Sequence, residues 1–169
     1  HQFYVNTNME LAGNTVSMLG RRPEETDKKQ FLGLEYAQFA KADLDVRYHL
    51  NFGDERILAV RAYGGYGHAY GNSDMIPYIK QFYSGGPYSV RAFRIRSLGP
   101  GTFSEADNPD INYFDQTGNI RLEANIEYRF PIYSFLKGAV FADAGNVWNS
   151  KSNDMYNGKD KFTSNFIKE

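Results

Sequence analysis

The chain has 169 residues, enough for one domain with a sizeable core, and a net charge of −1, which removes the electrostatic case for nucleic acid as a partner. It has no cysteine, so a disulfide scaffold and a thiolate metal site are excluded. Aromatics make up 16% of the residues, yet mean hydropathy is −0.57, so the rings must be interleaved with polar residues.

Phe3 to Gly13 alternates: Phe3, Val5, Met9 and Leu11 fall on one face, and Tyr4, Asn6, Asn8 and Glu10 on the other. Period two is the signature of a strand. Asn14 to Gln30 follows, with Gly20-Arg21-Arg22-Pro23-Glu24-Glu25 reading as an exposed polar loop. Phe31 to Phe52 then alternates most strongly, with Leu34, Tyr36, Leu44, Val46 and Leu50 on the even face and Lys41, Asp43, Asp45 and Arg47 on the odd. The polar exceptions on the apolar faces are Gln38 here and, later in the chain, His68 and Asn146. A transmembrane strand needs about 9–11 residues, so this one would span a bilayer and project beyond it. Asn51 to Arg56 is a tight hairpin turn with Gly53-Asp54 as its cue. Ile57 to Gly71 returns; Gly64, Gly65 and Gly67 would weaken an isolated strand and suit a place where another backbone comes close.

Asn72 to Gly118 is a long connection. Asn119 to Ile132 puts Ile120, Leu122, Ile126 and Tyr128 on one face and Arg121, Glu123, Asn125, Glu127 and Arg129 on the other. Pro131 to Phe135 is a second short turn, and Leu136 to Trp148 the fifth strand, with Val140 and Ala142 on one face and Phe141, Asp143 and Gly145 on the other. Ser150 to Lys161 is polar, and Phe162 begins a further element. The chain opens directly on a strand pattern, with no charged-then-apolar leader, and stops mid-element at Glu169, so it reads as a piece of a longer protein.

Connections therefore alternate between long and short, as in outer-membrane barrels with short periplasmic turns and long extracellular loops. The apolar faces carry no charge through their centres, where a Lys or Arg facing lipid would cost about 2–4 kcal/mol. A soluble sandwich would alternate too, but on shorter strands. The expected fold is all-β: an antiparallel transmembrane β-barrel, in part, with about five strands, the start of a sixth and a long loop folded inward.

That loop centres on Gly85 to Phe103, where Arg91, Arg94 and Arg96 interleave with Val90, Phe93 and Ile95. An arginine on a loop is by default solvated. Arg91, however, has a planar donor fork suited to carboxylates, and Glu127 and Asp143 both fall inward by parity on hairpin-joined strands. Asp107, Asp110 and Asp115 do not fit the spacing of a calcium loop, and Gly64-Gly65-Tyr66-Gly67 is no phosphate cradle because no helix follows. His49 and His68 lack metal-ligand spacing. Glu123 with Glu127 resembles a glycosidase pair only in type and reads better as part of a charged inner wall. Tyr66, Tyr70 and Trp148 read as an aromatic girdle.

The run VRAF at Val90–Phe93 resembles the VRGF/Y motif of the BamA/TamA outer-membrane assembly superfamily. FADAG at Phe141–Gly145 resembles its (F/G)xDxG strand motif, and EANIEYRF at Glu123–Phe130 the strand between. The region Pro77 to Trp148 is most similar to the TamA-like proteins of Bacteroidetes, often called TamL; Ala92 stands where that family usually has Gly. The resemblance implies a barrel-loop lock made of Val90, Arg91, Phe93, Glu127, Asp143 and Gly145, and a chain that is the C-terminal part of a barrel domain, with periplasmic POTRA domains and further strands outside it. It implies a bacterial outer-membrane factor that inserts or translocates proteins without enzymatic chemistry or cofactor. Its partners would be nascent outer-membrane or surface proteins, the lipid bilayer and accessory assembly subunits. A two-partner-secretion transporter or passive channel on the same barrel, and a soluble enzyme using the inner carboxylates, are the competing readings.

Overall fold

The computed structural model describes residues 1–24, 27–103, 116–151 and 158–163. In chain order these form β1 (Gln2–Ala12), α1 (Asn14–Leu19), β2 (Gln30–Phe31), β3 (Leu34–Glu35), β4 (Phe39–Asn51), β5 (Ile57–Ala69), β6 (Ile120–Tyr133) and β7 (Leu136–Trp148). One five-stranded antiparallel sheet has the order β1-β4-β5-β6-β7, so each long strand pairs with the next long strand in the chain. β2 and β3 pair with each other as a small separate hairpin. β6 is 14 residues long and β4, β5 and β7 are 13 each, long enough to cross a hydrocarbon layer at a tilt.

The register turns the alternation of each strand into two continuous faces. Val5, Val46, Ala62, Ala124 and Ala144 form one row across all five strands. Asn6, Asp45, Tyr63, Glu123 and Gly145 form the row beside it, on the other face. The first face is apolar and uncovered: Leu44, Ile126 and Val140 are 45%, 46% and 65% exposed. A belt of that extent is unusual on a soluble monomer and suits lipid. The second face is covered by the described parts of the connection between β5 and β6, whose Ile76, Phe82, Val90 and Phe103 are buried with Phe39 and Val147 of the wall. The core therefore lies between loop and wall, inside the barrel.

Several local expectations change. The strand expected from Phe31 begins at Phe39, because Leu32 and Gly33 sit at φ 52° and 80° and turn the chain back. The alternation in 31–38 belongs to the β2–β3 hairpin and its exit. Gln38 is buried because its Oε1 accepts the Asn72 N–H at 2.9 Å while its own N–H donates to Ser73 Oγ at 2.8 Å, fastening two rim loops together. The segment after β1 forms α1, closed by Gly20 N–H on Val16 O at 2.8 Å. β6 runs through Pro131 to Tyr133, with a register irregularity there, so the second turn is shorter than Pro131–Phe135. What comes closest to Gly65 and Gly67 is a side chain: a Cβ would lie 2.6 Å from the Phe82 ring at Gly65 and 2.5 Å from Ile76 Cδ1 at Gly67. Another backbone does approach Gly67, whose N–H donates to Asn119 O at 2.7 Å. Trp148 is no girdle residue; it is 3% exposed and packs edge-on against Phe162. Residues 164–169, where a sixth strand was expected to continue, and Asp107, Asp110 and Asp115 lie outside the described residues.

Candidate functional site

The connection between β5 and β6 reaches the inner wall by folding on itself. Phe82 bridges Gly118 and Ser84 bridges Leu98, so its two limbs run side by side. At the bend, Gly85 has φ 100° and a Cβ there would sit 2.1 Å from Arg94 O, so only glycine fits. Gly86 N–H donates to Phe93 O at 2.9 Å and Phe93 N–H to Val90 O at 3.2 Å, closing the tip. The closed tip places Ser89 and Arg91 where Asn125 of β6 and Asp143 of β7 meet them.

Arg91 meets both inward carboxylates. Its Nε donates to Asp143 Oδ2 at 2.7 Å and its Nη2 to Asp143 Oδ1 at 2.8 Å, a bidentate fork. Its backbone N–H donates to Asp143 Oδ2 at 3.1 Å, so the loop's main chain is held by the same carboxylate. Nη1 donates to Glu127 Oε2. Glu127 also accepts Arg129 Nε at 2.5 Å. The guanidinium lies 3.6 Å from the ring centroid of Phe141. Asn125 completes the group: its Nδ2 donates to Asp143 Oδ1 at 2.9 Å and to Ser89 O at 2.7 Å. The Asp143 side chain is 4% exposed, so its charge depends on these donors.

Of the residues singled out from the sequence, the fold brings Arg91, Glu127 and Asp143 into direct contact. Val90 is buried beside Gly145, where a Cβ would lie 3.0 Å from Val90 Cγ2 and 2.8 Å from Glu123 Cγ. Phe93 is not brought into the group; it is 47% exposed and serves through its backbone. Ala92 is not among the residues with positive φ, which is why a methyl is tolerated where the resemblance has Gly. Arg96 finds partners within the same connection: Nη1 donates to Tyr78 Oη at 2.6 Å, and the guanidinium lies 4.8 Å from the Tyr83 ring. Arg94 is exposed.

A second group was missed as a contact point. Glu123 is buried and accepts bonds from Ser84 and Ser89 of the loop and from Arg61 and Arg121 of the wall. Arg61 also holds Asp45, Nε to Oδ1 at 3.0 Å. The inward parity of Glu123 is visible in the sequence, but serines in a Gly-rich loop give no signal of their partner. Among the described residues no group of three or more His, Cys, Asp or Glu side chains is arranged to hold a metal ion.

A five-stranded antiparallel wall, lipid-facing outside and packed inside by its own loop, defines this as part of a transmembrane β-barrel. The Omp85 superfamily domain matches residues 3–167. The chain belongs to the Omp85 superfamily, and its place is the bacterial outer membrane. It is similar to outer membrane protein assembly factor BamA of Neisseria meningitidis serogroup B, at 34% identity over 90 residues. That match covers 50% of this chain and 11% of the relative's length, so the chain corresponds to a small part of that protein.

Proposed function

We propose that this chain is part of the barrel of a factor that inserts or translocates outer-membrane proteins, and that Arg91 locks the β5–β6 connection to the inner wall. The observation that carries the proposal is the contact of Arg91 with Asp143 and Glu127 inside a barrel of this superfamily. The name of the BamA relative supports assembly as the activity. The lock needs no cofactor and no covalent chemistry. It depends on both partners: breaking a buried, hydrogen-bonded charge pair costs about 3–5 kcal/mol, because the remaining charge is stranded.

The VRAF and FADAG motifs with their intervening strand favour a TamA-like member of the Bacteroidetes type. Partners on this reading are nascent outer-membrane or surface proteins, the bilayer and accessory subunits. β1 and β7 are the end strands of the sheet, which supports further strands completing the barrel. We take the chain to be its C-terminal part, preceded by periplasmic POTRA domains. The Asn51–Arg56 turn and the short β6–β7 turn would then face the periplasm.

The test uses the full-length protein in its membrane. Arg91→Ala and Asp143→Ala should each depress assembly of outer-membrane proteins while the barrel still folds. Normal assembly by both folded variants would refute the proposal. A change in conductance with assembly intact would make the protein a channel instead.

A further inference from the structure

Glu123 is the most buried carboxylate of the inner wall, its side chain 0% exposed, and the lock described above does not use it. Oε1 accepts Ser84 Oγ at 2.7 Å, Ser89 Oγ, and Arg121 Nε at 2.9 Å. Oε2 accepts Arg61 Nη1 at 3.1 Å. Donors from the loop and from the wall thus converge on one carboxylate. Ser84 and Ser89 are 0% and 6% exposed, and Ser89 Oγ also accepts the Gly85 N–H at 2.9 Å. Of the two hydroxyls that reach Glu123, that of Ser89 therefore also closes the bend of the loop.

We infer that Glu123 is a second docking station for the loop: a positioning residue that seats the 84–89 bend through two serine hydroxyls, separately from the grip of Arg91 on Asp143. The inference rests on the reading that the loop must stay seated in the lumen for the barrel to work. The geometry of Gly145 supports it. Glu123 and Gly145 are paired across β6 and β7, and a Cβ on Gly145 would lie 2.8 Å from Glu123 Cγ. The glycine of FADAG thus leaves room for Glu123 and Val90, whereas the aspartate of the same motif serves Arg91. One short motif on β7 accommodates both stations.

The stations differ in chemistry. At Asp143 the loop brings the charge. At Glu123 the wall already supplies Arg61 and Arg121, and Arg61 is shared with Asp45 through Nη2 to Oδ2 at 3.1 Å. The loop contributes neutral groups, the two hydroxyls on Glu123 and the Tyr88 carbonyl that accepts Arg61 Nη1 at 3.3 Å, and water can replace them when they leave. The bend can therefore come off Glu123 without stranding an ion, and the wall keeps its own ion pairs when it does.

The test takes the full-length protein in its membrane, freed of other thiols, with Val90→Cys placing a thiol between the stations. Its rate of reaction with a maleimide reads how often the loop leaves the wall. Removing both hydroxyls with Ser84→Ala and Ser89→Ala should raise that rate by more than about tenfold, the factor for losing a single charge-assisted hydrogen bond's net contribution. Ser89→Thr, which keeps the hydroxyl, should retain the slow rate. An unchanged rate in a folded double variant overturns the inference, and so does equal speeding by Ser89→Thr and Ser89→Ala, which would assign the effect to packing. If the double variant does not fold, the single serine variants decide: faster labelling in either supports the station, and unchanged rates in both refute it. Faster labelling in the serine variants together with normal assembly by folded Arg91→Ala and Asp143→Ala would refute the functional proposal while still showing that the bend docks on Glu123.

Discussion

At Asp143 the loop supplies the cation and the wall the anions; at Glu123 the wall supplies both anion and cations, and the loop gives only neutral groups, two hydroxyls to the carboxylate and the Tyr88 carbonyl to Arg61. The two contacts lie close together, since Ser89 and Arg91 flank Val90, yet they fail differently. Removing either side of the first leaves a charge in a poorly solvated place, which is costly. Removing the loop's side of the second leaves a wall that is still neutralised by Arg61 and Arg121. A loop held by one stiff contact and one yielding contact can stay attached at Arg91 while its bend lifts from Glu123.

The largest expected effect tests the stiff contact. Asp143→Ala leaves the Arg91 fork without its bidentate partner and should cost about 3–5 kcal/mol, read as a lower denaturant midpoint of the folded barrel. A cost under about 1 kcal/mol, the net worth of an ordinary hydrogen bond, would mean the two contacts are alike. Gly145→Ala comes next, because its new methyl meets Glu123 Cγ and Val90 Cγ2 while the Arg91 fork is untouched. Overpacking of this kind costs about 1–3 kcal/mol, and it should speed proteolysis within the loop. Ser84→Ala removes one hydroxyl from the yielding contact and should cost about 1–2 kcal/mol in the same denaturant measurement. A loss as large as that of Asp143→Ala would erase the distinction. The smallest effect belongs to Ala92→Gly: the residue is exposed and its φ is not positive, so the change should cost no more than about 1 kcal/mol and leave both contacts in place. Combining Arg91→Ala with Ser89→Ala in a double-mutant cycle would sharpen the comparison further, since their coupling energy measures how far one contact supports the other.

Much of the wall is legible in the order of residues. Period-two alternation assigns Asp45, Glu123, Glu127 and Asp143 to one face and Val46, Ile126 and Val140 to the other, and the register keeps every one of them there. The reason is geometric: in a strand the side of each residue follows from parity alone. Arg91 is legible through its motif and through the two carboxylates that parity turns inward. Where alternation misleads, backbone dihedrals or cover decide. Leu32 and Gly33 adopt positive φ within an alternating run, and Trp148 falls by parity on the lipid face but is covered by Phe162.

By itself the sequence determined which residues face lipid, which face the lumen, and where strands are joined by short turns, because each of these follows from residue type and spacing along a few neighbours. Only the tertiary structure decided that Ser84 and Ser89 reach Glu123, that Gly145 clears space for it, and that Gly65 and Gly67 receive Phe82 and Ile76. Ser84 stands 39 positions from Glu123 and reaches it through a loop without periodicity. No local pattern encodes where such a loop comes to rest, because its resting place is set by contacts distant in the chain.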